Sequence, residues 1–274
     1  MPVLRLKIYQ PQAHYRIPFT YQRRLTYPIP PYSTIIGFLC NASGVDDQNI
    51  DLYQNVIRKL KISIAGRFKA KNTEMIWFRN LSKDAHKETY RSIDNREKNG
   101  YVGHIGGQSP IKIDVLEDVE LIIYIYHENK EKLPTLQELQ KNLENPKNRL
   151  QVLHLGRAED WIVYREIEII EDSKLKKKRM DGNYPYFFWI PERIFTLNNH
   201  SLNWDNFDGL FYRLTTFSNI EGYEQHYNHT GKRIYQTINA KLNDGKIINT
   251  ECLFDTEINL PVFFSDFENN GVQI

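Results

Sequence analysis

The side chains with the most chemistry at close spacing lie near the amino terminus. Arg16, Arg23 and Arg24 are interleaved with Tyr15, Phe19, Tyr21 and Tyr27. Guanidinium groups pair with phosphate oxygens two at a time or stack on bases. Cations mixed with aromatic rings therefore suit single-stranded RNA, whose bases can be splayed out and stacked. A solvated charged loop with aromatic packing fits the same residues. Next, Pro28, Pro30 and Pro31 stiffen a turn that delivers the chain to Ser33 and Thr34. Either residue can cap a helix from Ile35 to Ala42 that ends near Gly44. A helix start offers unpaired N–H groups and partial positive charge, which favour a phosphate. Gly37, without a side chain, would let another backbone approach. A plain cap and a packing glycine are the simpler alternatives. Farther on, the Gly156-Arg157 pair combines a tight bend with a cation that either reaches RNA or pairs with Glu159 or Asp160. Gly103, Gly106 and Gly107 fit close backbone approach to nucleotides, or simply a flexible turn.

Other chemistries have thinner support. Metal-free RNA cleavage needs only a His, Tyr or Lys as acid or base. The eight histidines (His14, His86, His104, His127, His154, His200, His226 and His229) form no recognisable constellation. His14 lies beside the arginine loop, where a hydrogen-bonded structural role is the simpler reading. His226 and His229 lack a third ligand nearby, so no metal and no cofactor is expected. Cys40 and Cys252 are the only cysteines, which excludes a disulfide scaffold and a cysteine zinc site and suits a reducing cytoplasm.

The elements that must position these residues follow from patterning. The 274 residues are 41% hydrophobic and 26% charged, a globular composition without a membrane-spanning apolar run. Met1 to Ile8 alternates apolar and charged residues, unlike a signal peptide. Residues 1–73 hold eleven basic and three acidic side chains, a net +8, so the remainder carries −6 of the overall +2. A basic half suggests a surface for a polyanion, although solvated Lys and Arg on strands are common.

Residues 3–9 read as a strand, 10–32 as an irregular loop, and about 49–59 as a second helical piece. A strand is expected over 60–67, then a long polar stretch at 72–110, then a strong β run at 119–126. Thr135-Leu136-Gln137-Glu138 has the form of a capping box for a helix that stops before Pro146, and Trp161 to Ile170 alternates as a strand. The order β, α, β, insertion, β, α, β is that of a split βαβ, ferredoxin-like (RRM-like) domain of the α+β class. Such a sheet carries helices on one face and leaves the other open for a ligand. On this reading residues 1–170 form that domain. Residues 171–183, with the run Lys174-Leu175-Lys176-Lys177-Lys178-Arg179, are a solvated linker. Residues 184–274 are a small β-rich part.

Three stretches carry a resemblance. The first is Arg16-Ile17-Pro18-Phe19 followed by Thr26-Tyr27-Pro28-Ile29-Pro30-Pro31-Tyr32-Ser33-Thr34-Ile35-Ile36-Gly37-Phe38-Leu39-Cys40-Asn41-Ala42-Ser43-Gly44. The second is Ser109-Pro110-Ile111-Lys112-Ile113-Asp114-Val115-Leu116, and the third Leu153-His154-Leu155-Gly156-Arg157-Ala158-Glu159-Asp160. In this order they resemble the Cas-five family of CRISPR-associated proteins, within the RAMP superfamily, and most of all its type I-B variant. The resemblance implies a ferredoxin-like palm with residues 72–110 as a protruding β-hairpin thumb. It implies a non-catalytic subunit of the Cascade surveillance complex that holds the five-prime handle of the CRISPR RNA. Its partners would be the backbone Cas-seven subunit, the large Cas-eight-type subunit and, through the complex, target DNA, with no membrane. Carried onto this sequence, the RNA-binding candidates are Arg16, Arg23, Arg24, Tyr27, Ser33, Thr34, Gly37, Asn41, Gly106, Gly107 and Arg157. Arg16 leads them because it falls where the family has an arginine in its first motif. Some relatives cut precursor RNA, so a metal-independent endoribonuclease is the alternative, and a protein scaffold without RNA contact a third.

Overall fold

The computed structural model describes residues 2–18, 20, 23–45, 53, 56–79, 97–98, 101–102, 108–127, 136–195, 202–221 and 232–267. Gly103, Gly106, Gly107, Phe19, Tyr21, Thr135, His86, His104, His200, His226 and His229 lie outside them, as does most of the helix expected at 49–59. Of that helix, a 3-10 turn at Ile57–Lys59 is described.

In chain order the first half contains β1 (Val3–Ala13), β2 (Arg23–Arg24), α1 (Tyr32–Ser43), β3 (Lys61–Arg67), β4 (Ala70–Arg79), β5 (Glu97–Lys98), β6 (Tyr101–Val102), β7 (Gln108–Tyr126), α2 (Leu136–Glu144) and β8 (Val163–Ile170). The second half contains β9 (Leu175–Asn183), β10 (Phe187–Pro191), β11 (Leu210–Glu221), β12 (Lys232–Asn243), β13 (Lys246–Asp255) and β14 (Leu260–Val262). The main sheet runs β11-β12-β10-β3-β7-β1-β8, with β2 and β4 also paired to β7. At its centre Ile123 of β7 is registered with Leu6 of β1 and Ile64 of β3. The first half of β7 pairs with β4 in an antiparallel ladder from Ala70–Glu117 to Arg79–Gln108.

The alternation of β1 sends Leu4, Leu6 and Ile8 to one face, where they pack with Ile35, Ile36 and Leu39 of α1 and Leu136, Leu139 and Leu143 of α2. α1 begins one turn earlier than expected. Pro31, not Ser33 or Thr34, is its N-cap, and no side chain caps it. The fixed φ of proline suits that position, and the buried Tyr32 ring, 5.4 Å from Phe267, anchors the first turn. Gly44 ends the helix at φ +68°.

The opposite face is not open. Val3, Ile122, Tyr124, Tyr126 and Ile170 are buried there against Ile247, Cys252, Phe254, Leu260 and Val262, in a second sheet ordered β14-β13-β9. The physical reason is in β7: Leu121 to Ile125 is apolar at consecutive positions, so both of its faces need cover. Beneath that cover Arg5, 1% exposed, donates to Asp255 (2.8 Å), Glu168 (2.9 Å) and Glu257 (2.8 Å), and also to Glu166. Burial weakens the hold of Arg5 on its proton. The hydrogen bonds to Asp255, Glu166 and Glu257 outweigh burial and raise it overall.

The stretch expected as a linker is β9, laddered to β13 from Leu175–Asp255 to Asn183–Lys246. β10, expected in a separate part, pairs with β3 through Phe187–Gly66 and Phe188–Ala65. The β-rich half therefore extends one face of the first half and covers the other. Cys40 and Cys252 are unpaired, and burial pushes both thiols up to about 12. No described helix is long and apolar enough to cross a membrane. Among the described residues no group of three His, Cys, Asp or Glu could hold a metal ion.

Candidate nucleic-acid interface

α1 has two stripes. Ile35, Ile36, Phe38, Leu39 and Ala42 face the core. Ser33, Thr34, Gly37, Cys40 and Asn41 form the other, at the spacing of one helix face. The chain after α2 returns alongside this polar stripe. Asn41 binds it there: its carbonyl accepts from Leu150 N (3.2 Å) and its Oδ1 accepts from Gln151 N (2.8 Å). Between the two walls lies a groove of about 370 Å³, lined by Ser33, Thr34, Gly37, Phe38, Cys40, Asn41, Leu150, Gln151, His154 and Gly156. Gly37 is open to it, since a Cβ there would meet no atom within 4 Å. Ser33 Oγ also sits 2.9 Å from Thr215 Oγ1, which ties the helix start to β11.

At one end of the groove the third motif meets the first. Gly156 has φ +106°, and a Cβ there would lie 2.6 Å from Asp160 Oδ2 and 2.8 Å from the His14 carbonyl oxygen. Only glycine lets these chains close up. Asp160, buried, accepts from His14 N (2.9 Å), Arg157 N (2.7 Å) and Arg157 Nη2 (2.8 Å). Arg157 also lies 3.6 Å from both Glu74 and Glu159. Of its two readings, the structure contains the ion pair. Burial weakens its hold on the proton, and the Asp160 bond more than compensates.

His14 is 4% exposed. Its Nδ1 lies 2.7 Å from the Asp114 carbonyl, and among the described residues its buried Nε2 has no hydrogen-bond partner. Burial, with the nearby charges of Arg157 and Arg24, lowers its proton affinity against the opposing pull of the Asp114 carbonyl and Asp160.

The remaining arginines divide. Arg16 is exposed and bridges Thr26 through its backbone. Among the described residues its guanidinium has no hydrogen bond or ion pair. Arg24 lies close enough that, after burial, the Arg16 charge lowers its proton affinity further. Arg23 projects from the other face of β2, as strand alternation requires. Its guanidinium donates to Asp114 Oδ1 (2.8 and 3.0 Å) while its side chain stays 52% exposed. Tyr27 is interior, packed edge-on against Trp189 (5.9 Å) and Tyr212 (5.6 Å), so its ring is not offered to a ligand. Burial raises its hydroxyl to about 12.

The structure thus brings Ser33, Thr34, Gly37 and Asn41 together in one groove. It places Arg157 in the turn after Gly156 at the groove end, and Arg24 within charge range of His14, whose carbonyl meets that glycine. It leaves Arg23 outside and Tyr27 in the core. Sequence reasoning missed Gln151 and His154 as lining residues. His154 stood inside the third motif, and among the described residues its buried Nδ1 has no hydrogen-bond partner, whereas nothing marked Gln151. A second cleft, of about 410 Å³, is lined by Tyr9, Arg67, Phe68, Lys69, Asp118 and Glu120. There Arg67 pairs with Glu120 (2.6 Å) and Lys69 lies 3.6 Å from Asp118, so its charges largely cancel.

Residues 3–213 match the family described as CRISPR-associated protein (Cas_Cas5). The chain belongs to this Cas5 family. The matched span holds all three motifs and both walls of the groove. None of the curated proteins matches the chain. Among solved structures, a chain of a "CRISPR RNA-guided surveillance complex" superposes with a TM-score of 0.51 at 12% identity, over 92% of this chain and 91% of that one. A "Cas protein" crystal structure gives 0.43 at 12% identity over 94% and 98%. A CRISPR protein from Archaeoglobus fulgidus gives 0.40 at 11% over 92% and 91%. The first of these is a likeness of fold, and it extends past β11, beyond the family match.

Proposed function

We propose that this Cas5-family chain is a subunit of a type I-B CRISPR surveillance complex, and that it holds the five-prime handle of the guide RNA without cutting it. The observation that carries the reading is the groove on α1. It gathers the polar stripe of the first motif and the glycine turn of the third, and Arg16, which among the described residues makes no side-chain hydrogen bond or ion pair, follows two positions after His14, whose carbonyl meets that turn. The groove lining mixes the polar side chains of Ser33, Thr34, Asn41, Gln151 and His154 with the apolar Phe38 and Leu150 and holds no Asp, Glu, Lys or Arg, which suits sugars and phosphate oxygens together. Ser33 and Thr34 in the first helical turn place hydroxyls at the positive end of the helix dipole, and Gly37 leaves room for a backbone. Arg16 and Arg24 supply the positive field that draws a polyanion in.

The chain order also supports the family architecture. The sheet segment β3-β7-β1-β8, all antiparallel, with α1 and α2 on one face, supports reading this part as a ferredoxin-like palm. The β4–β7 ladder is then the stem of the thumb. The backbone and large subunits would adjoin it, and target DNA would be met through the assembly. A non-catalytic role is supported by His14, whose ring is interior and held to the Asp114 carbonyl rather than aimed into the groove.

The test is binding of labelled handle RNA across a salt series, together with incubation of precursor RNA in EDTA. Arg16→Ala is expected to weaken handle binding by roughly 1–3 kcal/mol, the scale of a charged hydrogen bond, and the precursor to stay intact. Unchanged affinity removes Arg16 from the site. Specific cutting abolished by His154→Ala or His14→Ala replaces the binder by a metal-independent endoribonuclease. Normal assembly with no RNA crosslink to this chain makes it a scaffold.

A further inference from the structure

The run Lys176-Lys177-Lys178-Arg179 has no part in the groove. It is the middle of β9, the outer strand of the three-stranded sheet. All four side chains are exposed, while Leu175 and Met180 on either side are buried. Lys177 and Arg179 share a face with their partners Leu253 and Glu251, and Lys176 and Lys178 share the other with Phe254 and Cys252. Because the strand is an edge, the cations of both faces turn outward, along roughly 10 Å at a rise of ~3.3 Å per residue.

Lys178 Nζ lies 5.0 Å from the centroid of the Phe254 ring, and Arg179 donates to Asn249. Among the described residues Lys176 and Lys177 make no hydrogen bond or ion pair. Their neighbour Lys174, by contrast, is held by Glu168 (3.3 Å) and Glu257 (3.0 Å). On β9 and its β13 ladder partners the exposed carboxylates are Glu251, opposite Arg179, and Asp181, fewer than the cations.

We propose that β9 is a second nucleic-acid site, which takes the phosphate backbone of a duplex. Three observations set the ligand class. The residues are mainly lysines, point charges that bind phosphate without reading bases. The one ring beneath them, Phe254, is 1% exposed, so the strand offers no stacking platform. A duplex keeps its base faces stacked inside and carries one phosphate charge per about 1.7 Å of axis, and so suits a short, dense row of cations without a stacking ring. The sheet carrying β9 covers the face of the main sheet opposite α1 and α2, so this site and the groove are separate surfaces. The inference does not depend on what the groove holds.

Lysines on an edge strand also block pairing with other chains, and the experiment separates the two roles. Full-length protein is titrated into a short labelled DNA duplex of arbitrary sequence at several salt concentrations, with single-stranded handle RNA measured in parallel. In the variant carrying Lys176→Gln, Lys177→Gln and Lys178→Gln, duplex affinity is expected to fall by roughly tenfold or more. The slope of log K against log salt becomes shallower by about 2 to 3, one unit for nearly every lost phosphate contact. RNA affinity stays unchanged. Lys177→Glu, on the face away from the Phe254 core, is expected to weaken the duplex alone while leaving the melting temperature in place. Absence of duplex binding by the wild type overturns the proposal. So do variants that bind duplex as the wild type does, whether or not they self-associate, and polyglutamate competing as well as duplex at equal charge. Loss of RNA binding with duplex binding intact bears on the groove alone.

Discussion

Gly37 is a mid-helix glycine with open space above it. Glycine costs a helix interior about 0.5–1 kcal/mol relative to alanine, and among the described residues nothing crowds the place a Cβ would take. Gly37→Ala should therefore raise the urea midpoint by an amount corresponding to about 0.5–1 kcal/mol. Gly37→Leu should keep the fold and fill the groove, lowering handle affinity by roughly tenfold or more while the melting temperature holds. Full affinity in Gly37→Leu places the RNA elsewhere. His14 gives a pH prediction. Its proton affinity is lowered by burial in the folded chain, so between its unfolded value near 6.5 and its lower folded value the unfolded state binds the extra proton. The stability from neutral His14 is complete above about pH 6.5 and is lost as pH falls through the folded value, with a slope of at most about 1.4 kcal/mol per pH unit. Denaturation midpoints from neutral pH downward measure it, and a flat profile to below pH 6 contradicts it. At this scale the sequence was partly legible. The tight bend at Gly156 could be read from residue type, and Ser33, Thr34, Gly37 and Asn41 were singled out together through the resemblance, but the partner of Arg157 could not be read. Asp160 and Glu159 were both in reach along the chain, and the buried position of Asp160, holding His14 N as well, decides between them.

The elements show where patterning stops informing. β3, β8 and α2 lie close to their expected spans because alternation or a helical stripe marks them, and β1 runs four residues past its expected end to Ala13. α1 begins at Tyr32 because a core aromatic recruits the first turn, which cap statistics do not see. β9 was unreadable for a related reason. Four successive cations have no alternation, and the ladder that makes them a strand comes from β13, some seventy positions later. What secures that sheet to the first half is the Arg5 cluster beside the apolar contact. Arg5→Ala would leave Asp255, itself 0% exposed, without its cation, with Tyr124 Oη donating to it at 3.0 Å. Breaking a buried pair from one side costs roughly 3–5 kcal/mol. Chemical denaturation of Arg5→Ala should show a loss of that size, and a loss below 1 kcal/mol would mean the cluster contributes little.

Over the whole molecule, the basic first half and the acidic remainder are not two bodies side by side. β10, β11 and β12 lengthen the main sheet, and β9, β13 and β14 close its back. The open ligand face expected of the sheet is therefore filled, and the candidate site lies on the helical side instead. The clue was in the sequence: five consecutive apolar residues from Leu121 to Ile125 cannot belong to a strand wet on one face. The chain order of the first half was legible because it repeats local periodicities. The closure was not, because it depends on pairings between distant segments. The central claim is that the guide strand runs along the polar stripe of α1. Photocrosslinking a guide RNA with 4-thiouridine placed through its five-prime handle, then mapping the attached peptides in the assembled complex, tests it most directly. The account predicts crosslinks within Ser33 to Asn41 and within Gln151 to Arg157. Handle crosslinks confined to other surfaces of this chain, or to its neighbours alone, would contradict it.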